Sequence, residues 1–369
     1  MAIKRRSVID SIPSSHCYMD YDYELYTKDE NLGFCHKYRC HFIALTTSLL
    51  ALVIAFIVIF VIPPITFMLS VNVQRYLIFL TSYGNECKDF TNFKRYGMEG
   101  IRNLYVPVQP NITLGVWHIL PLQYTYDSVT DEKFDYTETL KGKQYPILLY
   151  FHDSGENRIT SVNKYVILRR FFHVITFDYR GYGDSSAGDL LEKELITDSL
   201  FLYRWLLKQI TNDVYIWGHG LGSSIAVKTI TQLPKNVNQP KGLFLESAFT
   251  NLAELLTYNS YLKIFSWTPW FEQTFLDPLK ENDFVFNTDD HISYVNCPIM
   301  LIHAEDNKLV PYTLGQKLVE IKRGENVQDN NITFHLFSKQ FRYGHNDLYL
   351  APELPNYIRK HIDICTEKS

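Results

Sequence analysis

Short apolar segments alternate with segments of helical periodicity along most of the chain after residue 101. Six of the short segments are nearly continuous runs of aliphatic and aromatic residues, namely PILLYF, VITFDY, VYIW, GLFLE, IMLIHA and ITFHLF. Such runs are typical of strands that are buried on both faces of a sheet. Helices are predicted between them in LLEKELITDSLFLYRWLLKQI, TLGQKLVEIKR and PELPNYIRKHI, where apolar residues recur at helical spacing. The alternation predicts an α/β fold, with a mostly parallel sheet and helices on both faces.

An aromatic-rich segment, roughly residues 250–292, interrupts this alternation between the strands GLFLE and IMLIHA. It contains Tyr258, Tyr261, Phe265, Trp267, Trp270, Phe271 and Phe275. We interpret the segment either as a helical excursion with a small core of its own or as a lid whose apolar inner face accommodates acyl chains. The two interpretations are compatible, and both predict a cap on the α/β domain.

One segment of the chain is long and apolar enough to cross a membrane. Residues 42–69 contain no acidic or basic residue, and a helix over residues 42–62 would be roughly 31 Å long, against a hydrocarbon core of about 30 Å. Pro63 and Pro64 are expected to kink or end this helix. The polar residues before it argue against a cleaved signal peptide. The predicted organisation is a tail (1–41), a transmembrane anchor (42–69), a connector (70–100) and the α/β domain (101–369).

The basic residues around this segment predict its orientation. Those that lie close to it are Lys28, Lys37 and Arg39 on the N-terminal side and Arg75 on the C-terminal side. Because cytosolic flanks carry the excess of Lys and Arg, the N-terminus is predicted to be cytosolic and the C-terminal domain lumenal or extracellular. The sequons at Asn111 and Asn331 would then be accessible to glycosylation.

The charge and the cysteine spacing of the chain indicate neither a nucleic-acid partner nor a cysteine metal site. The formal net charge is −4 and no block of Lys and Arg occurs, so nucleic acid is not a predicted partner. The six cysteines are Cys17, Cys35, Cys40, Cys87, Cys297 and Cys365, and their spacing matches no metal site. The three that follow the anchor would permit one disulfide in an oxidising compartment, and we predict mostly unpaired thiols.

The segment VYIWGHGLGSSIAVK, residues 214–228, passes from a predicted strand through three glycines into a predicted helix. This is the layout of the nucleophile elbow G-x-S-x-G, with Gly220 in place of the serine between Gly218 and Gly222. The alternative interpretation is a dinucleotide-binding loop, with Ser223 at the third glycine position and Glu246 as the acidic residue. That match is partial and falls late in the alternation, so an NAD-dependent oxidoreductase is the more remote alternative.

Other parts of a hydrolase site follow predicted strands in the expected order. The loop HDSG, residues 152–155, follows PILLYF at the position of an oxyanion loop. Residues 305–307, EDN, follow IMLIHA at the position of the catalytic acid, and His345 in RYGHNDLY is placed as the base.

From about residue 101 to residue 355, the chain resembles the membrane-anchored α/β-hydrolase-domain lipases that cleave lysophosphatidylserine and monoacylglycerol. The segments that carry the resemblance are RNLYVP, LGVWHILP, ILLYFH, VITFDYRGYGDS, VYIWGH, LESAFTN, FLDP, CPIMLIHAED and PELP. The resemblance implies the α/β-hydrolase fold, a single-pass protein of the endoplasmic reticulum with a lumenal catalytic domain, and lipid ligands. No cofactor and no metal are predicted.

The departures from this family fall on the catalytic positions. The family's serine corresponds to Gly220 and its acid to Asn307, while the base is retained as His345. Asp306, one residue before the acid position, is the alternative acid. Without a serine oxygen no acyl-enzyme can form, and asparagine cannot stabilise the imidazolium as aspartate does.

The oxyanion loop also departs from the family, because its His-Gly becomes His152-Asp153. A carboxylate at residue 153 would oppose the negative charge of an oxyanion. The backbone N–H groups of Ser154 and Leu221 remain the predicted oxyanion donors. The first hypothesis is therefore a pseudoenzyme that binds a lipid or a protein through the retained pocket. The second is an active lipid ester hydrolase with displaced catalytic groups.

Overall fold

The computed structural model describes residues 22–81, 89–259, 262–324 and 331–367, with side chains described from residue 38 onward. The chain divides into two units at Pro63. The strands are β1 (Ile101–Gln109), β2 (Ile112–Ile119), β3 (Ile147–Phe151), β4 (His173–Phe177), β5 (Val214–His219), β6 (Gly242–Glu246), β7 (Ile299–Ala304) and β8 (Ile332–Phe337). The α-helices are Asp22–Phe56, Ile62–Leu69, Val71–Phe79, Thr125–Thr130, Tyr136–Thr139, Val162–Leu168, Glu192–Leu207, Leu221–Thr231, Leu252–Tyr258, Asp277–Glu281, Thr288–Ile292, Tyr312–Arg323 and Leu354–Glu367.

Within the described residues, the strands form one eight-stranded sheet in the order β1-β2-β4-β3-β5-β6-β7-β8. The strands from β4 to β8 pair in parallel, whereas β1 with β2 and β2 with β4 pair antiparallel. All residues of β3, β4, β5, β6 and β7 are buried, so both faces of the central sheet are covered. The predicted α/β class, the six apolar strands and the three predicted helices are confirmed.

The β1–β2 hairpin is the part of the sheet that the apolar runs did not predict. β1 is the edge strand, and its residues alternate irregularly between buried and exposed positions. A strand that is open to solvent lacks the continuous apolar pattern of a central strand. Asn111 forms the turn of this hairpin with a φ of 65°, a conformation that asparagine tolerates better than most residues.

One helix, Tyr38–Leu69, is long and apolar enough to span a membrane by its length and composition. Of the two effects predicted for Pro63 and Pro64, a kink or an end of the helix, the end is wrong, because the helix continues to Leu69. A π-helical turn, Ile57–Val61, comes just before the prolines. The carbonyls of Ile59 and Phe60, four residues before Pro63 and Pro64, lie inside this turn. Its wider ring relieves the clash that a proline makes with the carbonyl at that position in an α-helix.

The connector contains the helix Val71–Phe79 and a 3₁₀ helix, Phe93–Tyr96, neither of which was predicted. Between them, residues 82–88 lie outside the described part of the chain, as does Cys87. Among the cysteines whose side chains are described, Cys297 is a free thiol, and Cys365 Sγ lies 3.6 Å from His361 Nε2.

The aromatic-rich segment leaves the sheet after β6 and returns at β7 as a series of short helical elements. Phe275 contacts Phe265 and Phe271, with ring centroids 5.3 and 5.4 Å away. Phe275 also contacts Phe67, near the end of the long apolar helix, at 5.3 Å. The cap therefore has a small aromatic core of its own, as one of the two interpretations of this segment requires.

Candidate active site

Gly220 lies at a sharp turn between β5 and the helix Leu221–Thr231, with φ 51° and ψ −117°. The two flanking glycines are required by close backbone contacts. A Cβ at Gly218 would lie 2.5 Å from Ser223 Cα, and one at Gly222 would lie 2.3 Å from Phe151 O. The strand and the helix can approach this closely only where side chains are missing. The backbone of a nucleophile elbow is thus present around Gly220.

The Asp153 carboxylate occupies the space that a side chain at Gly220 would need. A Cβ at Gly220 would lie 2.1 Å from Asp153 Oδ1 and 2.2 Å from its Cγ. Oδ1 accepts a hydrogen bond from Leu221 N at 2.6 Å, and Oδ2 lies 2.8 Å from His345 Nε2. One carboxylate therefore contacts both the predicted oxyanion donor and the predicted base.

This arrangement differs from the sequence-based view that Asp153 would only repel an oxyanion. Burial opposes the charged carboxylate, but the hydrogen bond from His345 and the nearby positive charge of His219 outweigh burial and lower the pKa of Asp153. The ionised carboxylate is thus stabilised in the space that a side chain at residue 220 would need.

Asn307 is held in one orientation by the backbone that follows it. Its Oδ1 accepts hydrogen bonds from Leu309 N and Val310 N, both at 3.0 Å. Because Oδ1 accepts from these two donors, Nδ2 is the amide atom nearer to His345 Nδ1, at 2.9 Å against 3.3 Å for Oδ1, and it donates to this nitrogen. Nδ2 also donates to Ser247 Oγ at 3.1 Å.

This hydrogen bond determines the tautomer of His345. A neutral imidazole that accepts at Nδ1 carries its proton on Nε2, and that proton is donated to Asp153. A general base needs the opposite tautomer, with Nδ1–H donated to an acid and a free lone pair on Nε2. His345 therefore lies at the position of the base but in the opposite tautomer to the one that a serine hydrolase needs.

The alternative acid, Asp306, does not contact the imidazole of His345. Its two carboxylate oxygens accept a hydrogen bond from Gly344 N at 3.1 and 3.2 Å. In this position it fixes the backbone of the loop just before the base. Asn307, rather than Asp306, is the residue that the structure places against His345.

The loop that carries Asp153 and Ser154 is held on both sides. The ring of His152 lies 4.1 Å from that of Tyr179, centroid to centroid, and its Nδ1 is 2.8 Å from Asp153 O. Gly155 N donates to Phe79 O at 3.0 Å, and the Tyr182 hydroxyl also donates a hydrogen bond to Phe79 O. Ser154 is half-buried in this loop. The helix Val71–Phe79 of the connector thus helps to position the candidate oxyanion loop.

Sequence reasoning missed a second charged layer beneath the site. His219 Nδ1 lies 3.3 Å from Glu156 Oε2, and its Nε2 lies 3.1 Å from His345 O. Burial and Lys164 oppose the charged imidazole, but Glu246 and Glu156 outweigh them and raise the pKa of His219 to about 9. Glu246 is itself bonded to Lys164 Nζ at 2.8 Å. These groups lie in separate loops and strands, and no spacing in the sequence links them.

Asp153, His219 and His345 each offer a donor atom within 4.8 Å of the others, the separation that a bound metal ion would require. Two features disfavour metal ligation. His345 carries its proton on Nε2, so this nitrogen has no free lone pair, and His219 is protonated at neutral pH because its pKa is about 9. Within the described residues, the three groups fit a hydrogen-bonded charge cluster better than a metal site.

Ser223 and Ser224, which follow the elbow, lie within the helix and not at the turn itself. Ser223 Oγ donates to Gly218 O at 2.8 Å, and both Ser223 and Ser224 are buried in the helix.

The alternative interpretation, a dinucleotide site, requires Glu246 to bind a ribose. Glu246 is buried and accepts a hydrogen bond from Trp217 Nε1 at 2.9 Å. The Leu221 N–H at the helix N-terminus is already bonded to Asp153. This geometry opposes a dinucleotide site.

Comparisons with known proteins agree with this architecture. No model of a protein family matches the chain. The lysophosphatidylserine lipase ABHD12 of Danio rerio is 31% identical over 331 residues, covering 87% of this chain and 85% of the relative. The same lipase of Xenopus tropicalis is 34% identical and covers 73% of this chain and 72% of its own. Protein ABHD12B of Homo sapiens is 31% identical, covering 70% and 71%.

Solved structures show the same fold at low sequence identity. An alpha-beta hydrolase from Vibrio vulnificus has a TM-score of 0.57 and 15% identity, covering 79% of this chain and 92% of its own. The esterase Pf2001 of Pyrococcus furiosus has a TM-score of 0.54 and 15% identity, covering 76% and 96%. The sequence relatives carry the family assignment, and the structures agree with its fold. The chain belongs to the ABHD12 family of lipase-like α/β-hydrolases.

Proposed function

We propose that this protein is a membrane-anchored pseudoenzyme of the ABHD12 family, which binds a lipid ligand and does not hydrolyse it. The observation that carries the proposal is the Asp153 carboxylate, which fills the space of the nucleophile at Gly220 and bonds to both Leu221 N and His345 Nε2. A site arranged in this way resembles the state of a hydrolase with a carboxylate product bound. It lacks the group that starts the reaction.

The expected loss of turnover is large. In a serine protease, removing the nucleophile costs about 10⁶ in turnover, and exchanging the triad aspartate for asparagine costs about 10⁴. The two losses are not additive, because the triad acts as a unit. Either one alone would leave this site with negligible hydrolysis of an ester.

The names of the relatives suggest the class of ligand. Several are lysophosphatidylserine lipases, so we propose a lysophospholipid or monoacylglycerol-like lipid as the ligand. We further propose that the chain is an endoplasmic reticulum protein with a cytosolic N-terminus and a lumenal domain. Asn111 would then be an exposed glycosylation site, and Asn331, half-buried before β8, the less accessible one.

Binding without turnover is the expected result when the purified full-length chain is incubated with lysophosphatidylserine. A photoreactive analogue of this lipid should label the chain, and excess unlabelled lysophosphatidylserine should prevent the labelling. No free fatty acid should accumulate above the level of a heat-treated sample, while the lipase of Danio rerio provides the positive control. Release of fatty acid that depends on His345 would instead support an active hydrolase with displaced catalytic groups.

A further inference from the structure

Large apolar side chains are exposed to solvent on the outer surface of the cap. Residues 265, 268 and 271 point inward and are buried, whereas the residues just before them, at 264, 267 and 270, are exposed. These outward positions are Ile264, Trp267 and Trp270, with exposed fractions of 48%, 69% and 43%. Clustered large apolar side chains on a surface indicate an interaction site. We call this set the cap surface.

The cap surface is joined to the end of the apolar helix by aromatic contacts. Phe67 contacts Phe275 at 5.3 Å, and Phe275 contacts Phe265 and Phe271. Phe265 and Phe271 directly follow Ile264 and Trp270 in the chain. The elements that carry the exposed residues are therefore packed, through their inward-facing aromatic side chains, against Phe67 near the end of the apolar helix.

Phe67 lies only a few residues after the segment that is long enough to cross the hydrocarbon core. The helix Tyr38–Leu69 has 32 residues, about 48 Å at 1.5 Å per residue. The hydrocarbon core is about 30 Å thick, and about 40–45 Å with headgroups included. Residues 42–62 alone are long enough for the hydrocarbon core, and Phe67 follows Ile62 by five residues, about 7.5 Å of helix. Phe67 and the cap residues beside it then reach the headgroup layer.

We propose that the cap surface inserts into the headgroup region of the bilayer that the N-terminal helix crosses. This inference rests on the proposed membrane anchoring. Tryptophan is enriched at this depth because its ring is apolar and its N–H is polar. The exposed charges nearby, Lys263 and Glu272, have opposite signs, so apolar insertion rather than net charge drives the contact. The anchor keeps the cap close to the membrane, so even weak contacts are occupied.

The tryptophans of the chain allow a direct test. They are Trp117, Trp205, Trp217, Trp267 and Trp270, so the long apolar helix contains none. Trp117 and Trp217 are buried, and Trp205 is half-buried on the helix Glu192–Leu207. The full-length chain is reconstituted into phosphatidylcholine vesicles, either unmodified or brominated on the acyl chains near the headgroup. Flotation of the vesicles first reports whether the chain is membrane-bound.

Brominated lipid should quench the emission of the unmodified chain, and Trp267→Phe with Trp270→Phe should remove most of that quenching. Trp205→Phe is the matched control and should leave the quenching unchanged. The emission maximum of the remaining buried tryptophans reports that each variant is folded. A floating chain whose emission is not quenched would overturn the cap proposal alone. A chain that does not float would overturn the anchoring itself, and with it this inference.

Discussion

The triple substitution Asp153→Gly, Gly220→Ser and Asn307→Asp is expected to convert this protein into an active esterase. Serine at 220 supplies the nucleophile. Aspartate at 307 would accept from Leu309 N, Val310 N and His345 Nδ1–H, which reverses the tautomer of the base. Glycine at 153 vacates the space beside residue 220 and releases Leu221 N for an oxyanion. Hydrolysis of a short-chain p-nitrophenyl ester by the purified variant measures the gain.

A double variant that lacks the substitution of Asp153 provides the control. The double variant Gly220→Ser with Asn307→Asp keeps the Asp153 carboxylate, which contacts both the oxyanion donor and the base. Because the loss of one oxyanion donor alone costs about 10²–10³ in turnover, the double variant should be at least about 100-fold less active than the triple variant. His345→Ala in the triple variant should abolish the gain. Equal activity of the double and triple variants would show that Asp153 does not block the site.

Gly220→Ala is expected to destabilise the folded protein strongly, although it adds only one methyl group. The φ of 51° with a ψ of −117° is strained for any residue with a Cβ, at a cost of about 1–3 kcal/mol. The new Cβ would also lie 2.1 Å from Asp153 Oδ1 and displace a carboxylate from its hydrogen bonds, at a cost of about 1–3 kcal/mol. Together these effects predict a loss of about 2–6 kcal/mol in the free energy of unfolding.

Gly324→Ala is the matched control for backbone strain. Gly324 has a similar backbone conformation, with φ 54° and ψ −135°, and among the described residues no atom would lie within 4 Å of its Cβ. It should therefore lose only the strain of about 1–3 kcal/mol. Urea unfolding of both variants, with and without Asp153→Gly, separates strain from steric conflict in a double-mutant cycle. Equal losses at the two glycines would mean that Asp153 does not occupy the side-chain space of residue 220.

Much of the fold could be predicted because burial leaves a direct signal in the sequence. The central strands are buried on both faces and read as apolar runs, and leucine spacing identified the helix Glu192–Leu207. β1 escaped prediction because an edge strand mixes buried and exposed residues. The π turn escaped because the clash of a proline can be relieved by a local change in helical winding as well as by ending the helix.

The sequence predicted which residues form the candidate site, but it did not predict which of them contact one another. The elbow glycines, Asn307 and His345 follow from their places after predicted strands. The contact of Asp153 with His345 joins residues 192 positions apart, and that with Leu221 joins residues 68 apart. These contacts depend on how the loops close over the sheet edge. The amide orientation of Asn307, and therefore the tautomer of the base, depends on two backbone N–H groups that a sequence does not reveal.

The charged residues beneath the site could not be predicted from the sequence either. His219 lies in the elbow between two glycines, while Glu156 lies in the loop after β3 and Glu246 ends β6. Their proximity raises the pKa of His219 to about 9 and makes it an imidazolium at neutral pH. That charge helps to stabilise the ionised Asp153. The carboxylate in the nucleophile's place is thus supported from beneath by groups that only the fold brings together.

Reaction of the unmodified full-length chain with a fluorophosphonate probe distinguishes a pseudoenzyme from an active serine hydrolase, because this probe forms a covalent bond only with an activated serine. We expect no labelling of the unmodified chain, since Gly220 has no side chain and Ser223 and Ser224 are buried in the helix behind it. The triple variant in the same experiment should be labelled at residue 220. Labelling of the unmodified chain that mass spectrometry maps to any serine would show that the protein is an active serine hydrolase and not a pseudoenzyme.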